Sequence, residues 1–221
     1  MSTTYDFGSG PVPAHRHPHG GGWVADTAHV EDSVYIGPDA RVYGNARVYG
    51  NARVYGDAQV SGGARVYGDA QVTDNAQVYG NARVSGDAQV TDNAQVYGNA
   101  QVSGNAWVSD NAQVSDNAWV SGNAWVTGDA RVYGNARVYG RAQVTGDAKL
   151  AKSSDYLLIG PIGSRADFMT WTRSDNCIAT GCFRGTVKEF LAAVRETHGD
   201  NEHAQAYRAA VKFIRAMEKL T

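Results

Sequence analysis

The chain has 221 residues, a formal net charge of −2 with its histidines neutral, 26 glycines and two cysteines. That length admits one elongated domain and a small second one. The near-neutral charge gives no basic footprint for nucleic acid. No apolar run reaches the roughly 18 residues of a membrane span, so neither partner is expected. Two cysteines make no disulfide framework. The opening Met1-Ser2-Thr3-Thr4-Tyr5-Asp6 lacks the charged and apolar regions of a signal peptide, so a cytoplasmic setting is expected, or the host cytoplasm for a viral protein.

Residues 1–23 are rich in Gly, Pro and His and carry little apolar pattern. They are expected to form an extended cap lying over the first coil of the repeat region, with Gly20-Gly21-Gly22 as a hinge into Trp23-Val24. His15, His17 and His19 alternate, so on an extended strand all three point the same way, an arrangement suited to a transition metal. No acidic or cysteine ligand stands beside them in the sequence. The preferred reading is a cap whose histidines bond to its neighbours, with no metal and no cofactor.

Residues 24–150 repeat a six-residue phrase, as in Ala46-Arg47-Val48-Tyr49-Gly50-Asn51. Small apolar, polar, branched apolar and polar residues alternate with strand period, and Gly-Asn comes next as a turn pair. The inward aliphatic position steps by six from Val24, Val30, Ile36, Val42 and Val48 to Val144 and Leu150 without insertion. Such a unit cannot bury its apolar side alone and must stack on copies of itself. About twenty-one hexads at three per coil give about seven coils, a prism roughly 34 Å tall. The fold expected is mainly β: a parallel β-helix followed by a small α+β domain.

The phrase V-x-G-[ND]-A-x closely resembles the hexapeptide repeat of left-handed parallel β-helix proteins, over about residues 24–150. The left hand is implied by that resemblance, as is a habit of homotrimer formation. Enzymes with this repeat are chiefly acyltransferases and, less often, carbonic anhydrases. For them the resemblance implies a histidine base or three histidine metal ligands, commonly with loops breaking the hexads. Here the coils hold only His29, at their start, and no loop. The family's catalysis is therefore not carried over.

Residues eighteen apart should superpose, which divides the surface into three strips. One carries Gln59, Gln77, Gln95 and Gln113 beside Tyr43, Tyr79, Tyr97 and Tyr133. The second carries Arg47, Arg65, Arg83, Trp119 and Arg137 beside Tyr49, Tyr67 and Tyr139. The third carries Gln71, Gln89, Trp107, Trp125 and Gln143 beside Thr73, Thr91, Ser109, Thr127 and Thr145. Stacked side-chain ladders account for most of this. Exposed tryptophan is costly without a partner, however, so Trp107, Trp119 and Trp125, with the arginine row Arg47, Arg65 and Arg83, are the expected contact surface. The threonine rank lacks a parallel threonine companion, which argues against an ice-binding face.

After residue 150 the hexads stop. Tyr156-Leu157-Leu158-Ile159-Gly160 looks like a buried strand. Phe168 to Arg173 and Cys177 to Phe183, separated by Ser174-Asp175-Asn176, suggest a hairpin. Thr186-Val187-Lys188-Glu189 is a capping box opening a helix, with Val187, Phe190, Leu191 and Val194 on its apolar face and Gly199 at its end. A second helix begins near Asn201, with Tyr207, Ala210, Val211, Ile214 and Met217 on one side. This segment, 151–221, resembles the tails of uncharacterised proteins of bacteria and their phages, and should pack on the open end of the solenoid.

Three arrangements there bear on chemistry. Gly160 to Arg165 could cradle an anion through backbone amides, although a tight turn explains the same residues. If Arg165, Arg184, His198 and the helix N-terminus converge, a phosphate- or carboxylate-bearing ligand becomes credible. Cys177, Cys182, His198 and His203 only loosely follow a zinc-finger spacing. A Cys182–His198 nucleophile pair lacks a third member. The function expected is a non-enzymatic scaffold that associates with itself or a protein partner. The alternative is a small-molecule binder, or a degenerate acyltransferase-like enzyme, with its site in the terminal domain or between subunits.

Overall fold

The structure is a computed structural model that describes residues 3–219. Each hexad forms a two-residue strand, such as Arg47–Val48 or Gln71–Val72, followed by a corner. Strands eighteen residues apart pair in parallel, Arg65 against Arg47 on one side and Arg83 on the other. Three parallel sheets result, making a solenoid of about seven turns. Alanine and valine fill it: from Val34 to Leu150 the inward residues are essentially inaccessible to solvent. Each buried valine is worth on the order of 1.5–3 kcal/mol, which lets so narrow a core hold the coil.

The corners explain the glycine in most hexads. Gly80 has φ +71°, and a Cβ there would lie 3.0 Å from the amide nitrogen of Gly98 on the next coil. Backbone stacks on backbone at the corner, so the residue must have no side chain or one that bonds locally. Aspartate takes the place at Asp74, Asp92, Asp110 and Asp116, all at positive φ. The Asp110 carboxylate then accepts the Gly128 amide at 2.9 Å. Asparagines beside the corners form amide ladders, Asn75 to Asn93 to Asn111.

The N-terminal segment is more regular than its composition suggests. Thr4–Asp6 and Pro11–Arg16 form an antiparallel hairpin whose second strand pairs antiparallel with Trp23–Ala25, extending one face to ten strands. Gly20-Gly21-Gly22 is not a hinge. The Ile36 amide donates to the His19 carbonyl, the Gly22 amide donates to the Ile36 carbonyl, and a Cβ on Gly20 or Gly22 would collide with Ile36. These glycines let the chain lie flat against the edge of a second face. The third face begins at His29–Val30 with no further strand among the described residues, and Val30 is only half-buried.

At the other end the tail forms a four-stranded antiparallel sheet: Tyr156–Ile162, Asp167–Thr172, Cys177–Thr180 and Phe183–Thr186. Two helices come after it, α1 (Val187–His198) and α2 (Glu202–Glu218). Together they bury Met169, Trp171, Ile178, Phe190, Val211 and Ile214 in a separate core. Tyr156 and Leu158 instead close the solenoid core. The last coil has no further coil to accept its strand amides. Side-chain hydroxyls take over: Arg137, Gln143 and Lys149, one on each face, donate to Ser153 (3.1 Å), Thr170 (2.8 Å) and Ser174 (2.7 Å).

Candidate functional site

The outer surface of the solenoid carries two of the features singled out in the sequence. Arg47, Arg65 and Arg83 stand in register on consecutive rungs of one face. None of them takes part in an ion pair among the described residues. Stacking like charges directly opposite one another costs stability, so the row is a strip of uncompensated positive charge. Beside it the rings of Tyr49 and Tyr67 stack 4.9 Å apart.

The tryptophans fall on two neighbouring faces. Trp107 and Trp125 occupy adjacent rungs of one face, with ring centroids 5.3 Å apart. Trp119 lies on the arginine face, one hexad before Trp125, with Arg137 over its ring at 5.8 Å. All three remain 37–44% exposed. The Trp107 and Trp119 indole N–H groups donate to Thr91 and Ser103 at 3.2 Å, which holds both rings back along the solenoid axis. These two indoles are thus held in place with apolar surface left in water.

The terminal domain holds a cleft of about 210 Å³. It lies between the turn after Ile162, the bend at Gly181-Cys182, and the facing sides of α1 and α2. Arg165, Cys182, Phe183, Phe190, His198 and Tyr207 line it. Arg165 and His198 therefore line the same cleft, and Arg184 does not join them. The Arg184 guanidinium donates to the Thr145 hydroxyl at 3.0 Å and pairs with Asp175 at 3.4 Å, clamping the tail to the solenoid. The α1 N-terminus is also taken. The Glu189 carboxylate accepts from the Thr186 amide and hydroxyl at 2.8 and 2.9 Å. Those bonds hold its carboxyl below the usual carboxylate range.

The other sequence-level arrangements disperse. Gly160-Pro161 is part of the first tail strand, which runs on to Ile162 through an irregularity after Ile159, and so makes no anion cradle. The strand carrying His15 ends at Arg16, so the alternation stops short of His17 and His19. His15 bonds Asp26 at 2.9 Å, His17 is buried, and His19 packs edge-on against Tyr35. Cys177 and Cys182 are both free. Burial, with Asp175 beside it, pushes the Cys177 thiol up. No group of three or more His, Cys, Asp or Glu among the described residues is placed to hold a metal ion. Tyr207 was legible only as an apolar position of α2, whereas a tight turn was the sequence reading for Gly160 to Arg165, and the structure places it at Gly163–Ala166.

A family model described as the YdcK beta solenoid repeat matches residues 40–56, 46–62, 58–74, 76–92, 94–110, 112–128 and 130–148. The matches cover most of the coil and none of the tail. The chain's coil is a repeat β-solenoid. No curated protein and no solved structure matches it. The repeat match and the seven turns support a β-helix repeat family, which is coarser than the hexapeptide-repeat family named from the motif.

Proposed function

We propose that the protein is a non-enzymatic scaffold: the solenoid fixes distance and direction, its tryptophan-bearing edge and arginine row engage a protein partner or a second copy, and the terminal domain is held out at one end. The observation that carries this reading is the trio Trp107, Trp119 and Trp125, exposed on neighbouring faces, with the first two held by hydrogen bonds and the third packed edge-on against Trp107. Large, rigid aromatic surface of that kind is what protein interfaces bury at their centres. The uncompensated row Arg47, Arg65 and Arg83 supplies steering toward an acidic face.

Native mass spectrometry of the full chain tests it. A species heavier than the monomer, or a retained protein, is expected for the wild type and should be lost when Trp107, Trp119 and Trp125 are all replaced by Ala. A wild-type monomer with no protein bound would overturn the reading, as would a clear thermal shift with acetyl-CoA. A second reading, ligand binding in the terminal domain, is favoured by one observation: Arg165 and His198 line the same cleft.

A further inference from the structure

We propose that the cleft in the terminal domain binds a small carboxylate with a short apolar body, its carboxylate meeting the Arg165 guanidinium and the Tyr207 hydroxyl. This rests on the second reading above and gives it a ligand chemistry.

Charge comes first. Arg165 takes part in no ion pair among the described residues, although Asp167 lies two positions away. Asp167 is committed elsewhere: it pairs with Arg141 of the last coil at 3.4 Å and accepts the Phe168 amide at 2.8 Å. A guanidinium left free at the rim of a cleft is the group best shaped to take a carboxylate in two parallel bonds.

Tyr207 supplies a second donor. Its ring is largely buried, with Phe190 edge-on at 5.3 Å and His198 at 5.9 Å. Its hydroxyl reaches Gly163 at the head of the turn that carries Arg165, where no Cβ would fit. That turn is held in an uncommon form, with Gly163 at φ +72° and Ala166 at φ +47°. An alanine there persists only where its surroundings over-determine the backbone, and such positions concentrate at binding sites. The phenol is thus held from α2 against the turn whose exposed Arg165 lines the same cleft.

The remaining walls decide between anions. Phe183, Phe190 and Val194 are apolar, and Ser164, Thr180 and Thr197 add hydroxyls. The Asp167 carboxylate that also lines the cleft is taken up by Arg141 and the Phe168 amide. The Arg184 guanidinium is engaged with Thr145 and Asp175 and the Glu189 carboxylate holds the cap of α1, so Arg165 is the one guanidinium lining the cleft, together with the His198 imidazole. One guanidinium and one phenol suit a single negative charge, whereas a phosphate dianion would leave oxygens unmet. A volume near 210 Å³ is below the roughly 300–1,000 Å³ of drug-sized sites. It fits one small acid, or the last residue of a peptide chain.

Titration of the full chain followed by ¹⁵N NMR tests this, using phenylacetate, N-acetyl-phenylalanine, N-acetyl-phenylalaninamide and inorganic phosphate. Saturable binding of at least one of the two acids is expected, with shifts confined to the cleft. The amide should bind at least about tenfold more weakly, Arg165→Ala should cost a similar factor, and Tyr207→Phe, which keeps the packing, a smaller one. Bound acid should also slow labelling of the exposed Cys182 thiol. Tighter binding of N-acetyl-phenylalanine assigns the site to a chain end, and tighter binding of phenylacetate to a free acid. Equal binding of the amide, or an Arg165→Ala variant that binds as well as wild type, overturns the proposal. Phosphate binding lost in Arg165→Ala, with neither acid bound, overturns the carboxylate and keeps the ligand reading. Silence from all four probes overturns both.

Discussion

A single phenol shows how the two parts of the chain depend on each other. Tyr156 is the first strand residue of the tail, yet its ring belongs to the solenoid core, where its hydroxyl is buried with no hydrogen-bond partner. Burial pushes that phenol from 10.0 up to about 12. The native state therefore holds the proton longer than the unfolded chain does. Any stability tied to it is intact below pH 10 and lost as pH rises toward 12. In Tyr156→Phe the melting temperature at pH 7 should stay level or rise, since an unmet polar atom is removed. The fall in melting temperature between pH 10 and 12 should become shallower. A Tyr156→Phe variant with an unchanged alkaline slope would show that another group governs that limb.

At the scale of the element, the coil's periodicity was legible because every constraint repeats. Strand alternation, a corner that excludes Cβ, and an inward valine recur at one spacing, so each hexad confirms its neighbours. The tail's hairpin, capping box and two helices were legible for local reasons of the same kind. What escaped was non-local. Prolines at 11 and 13 argue against a strand, yet Pro11–Arg16 pairs on both sides. Phe183–Thr186 is a separate strand because the backbone turns at Gly181, with φ +55°, a break that the continuous apolar pattern hides. The cleft depends on a turn, a bend and two helices meeting, which no spacing encodes. Nor did any pattern mark Ser153, Thr170 and Ser174 as acceptors for the last coil. Thr170 is buried, so Thr170→Val should strand the Gln143 amide and cost about 1–3 kcal/mol. Ser174→Ala, at a site open to water, should cost less. Denaturation midpoints together with exchange of the Gln143 amide would test this, and equal costs would contradict it.

At the scale of the whole molecule, the solenoid is a rod finished at both ends. The hairpin and the Pro18–Gly22 segment lie along two edges of the first coil. The tail caps the last one through three hydroxyls, Tyr156, and the Arg184 and Arg141 contacts. Open sheet edges invite pairing with other chains, so covering all three faces at the last coil and two at the first opposes growth by stacking. Only the His29–Val30 edge is left bare among the described residues. The sides stay open, where the exposed tryptophans and the arginine row stand. This arrangement also places the cleft in a domain that adds nothing to the coil's own repeat, free to carry a different chemistry.

The unbroken eighteen-residue register seen from Arg47 to Arg65 to Arg83 has a consequence for how such a protein can be resized. Removing residues 76–93, one full circuit, should shorten the rod by about 4.8 Å and return every later side chain to its own bearing. Removing only 76–81 should swing everything downstream by about one third of a circuit, so that the tryptophans and the terminal domain point along a new compass direction from the hairpin. Both deletions should fold, and fluorescence energy transfer between labels on the hairpin and α2 should separate a change of length from a change of heading. Length and heading are thus independent dials on one chain, set by whether residues are gained in eighteens or in sixes.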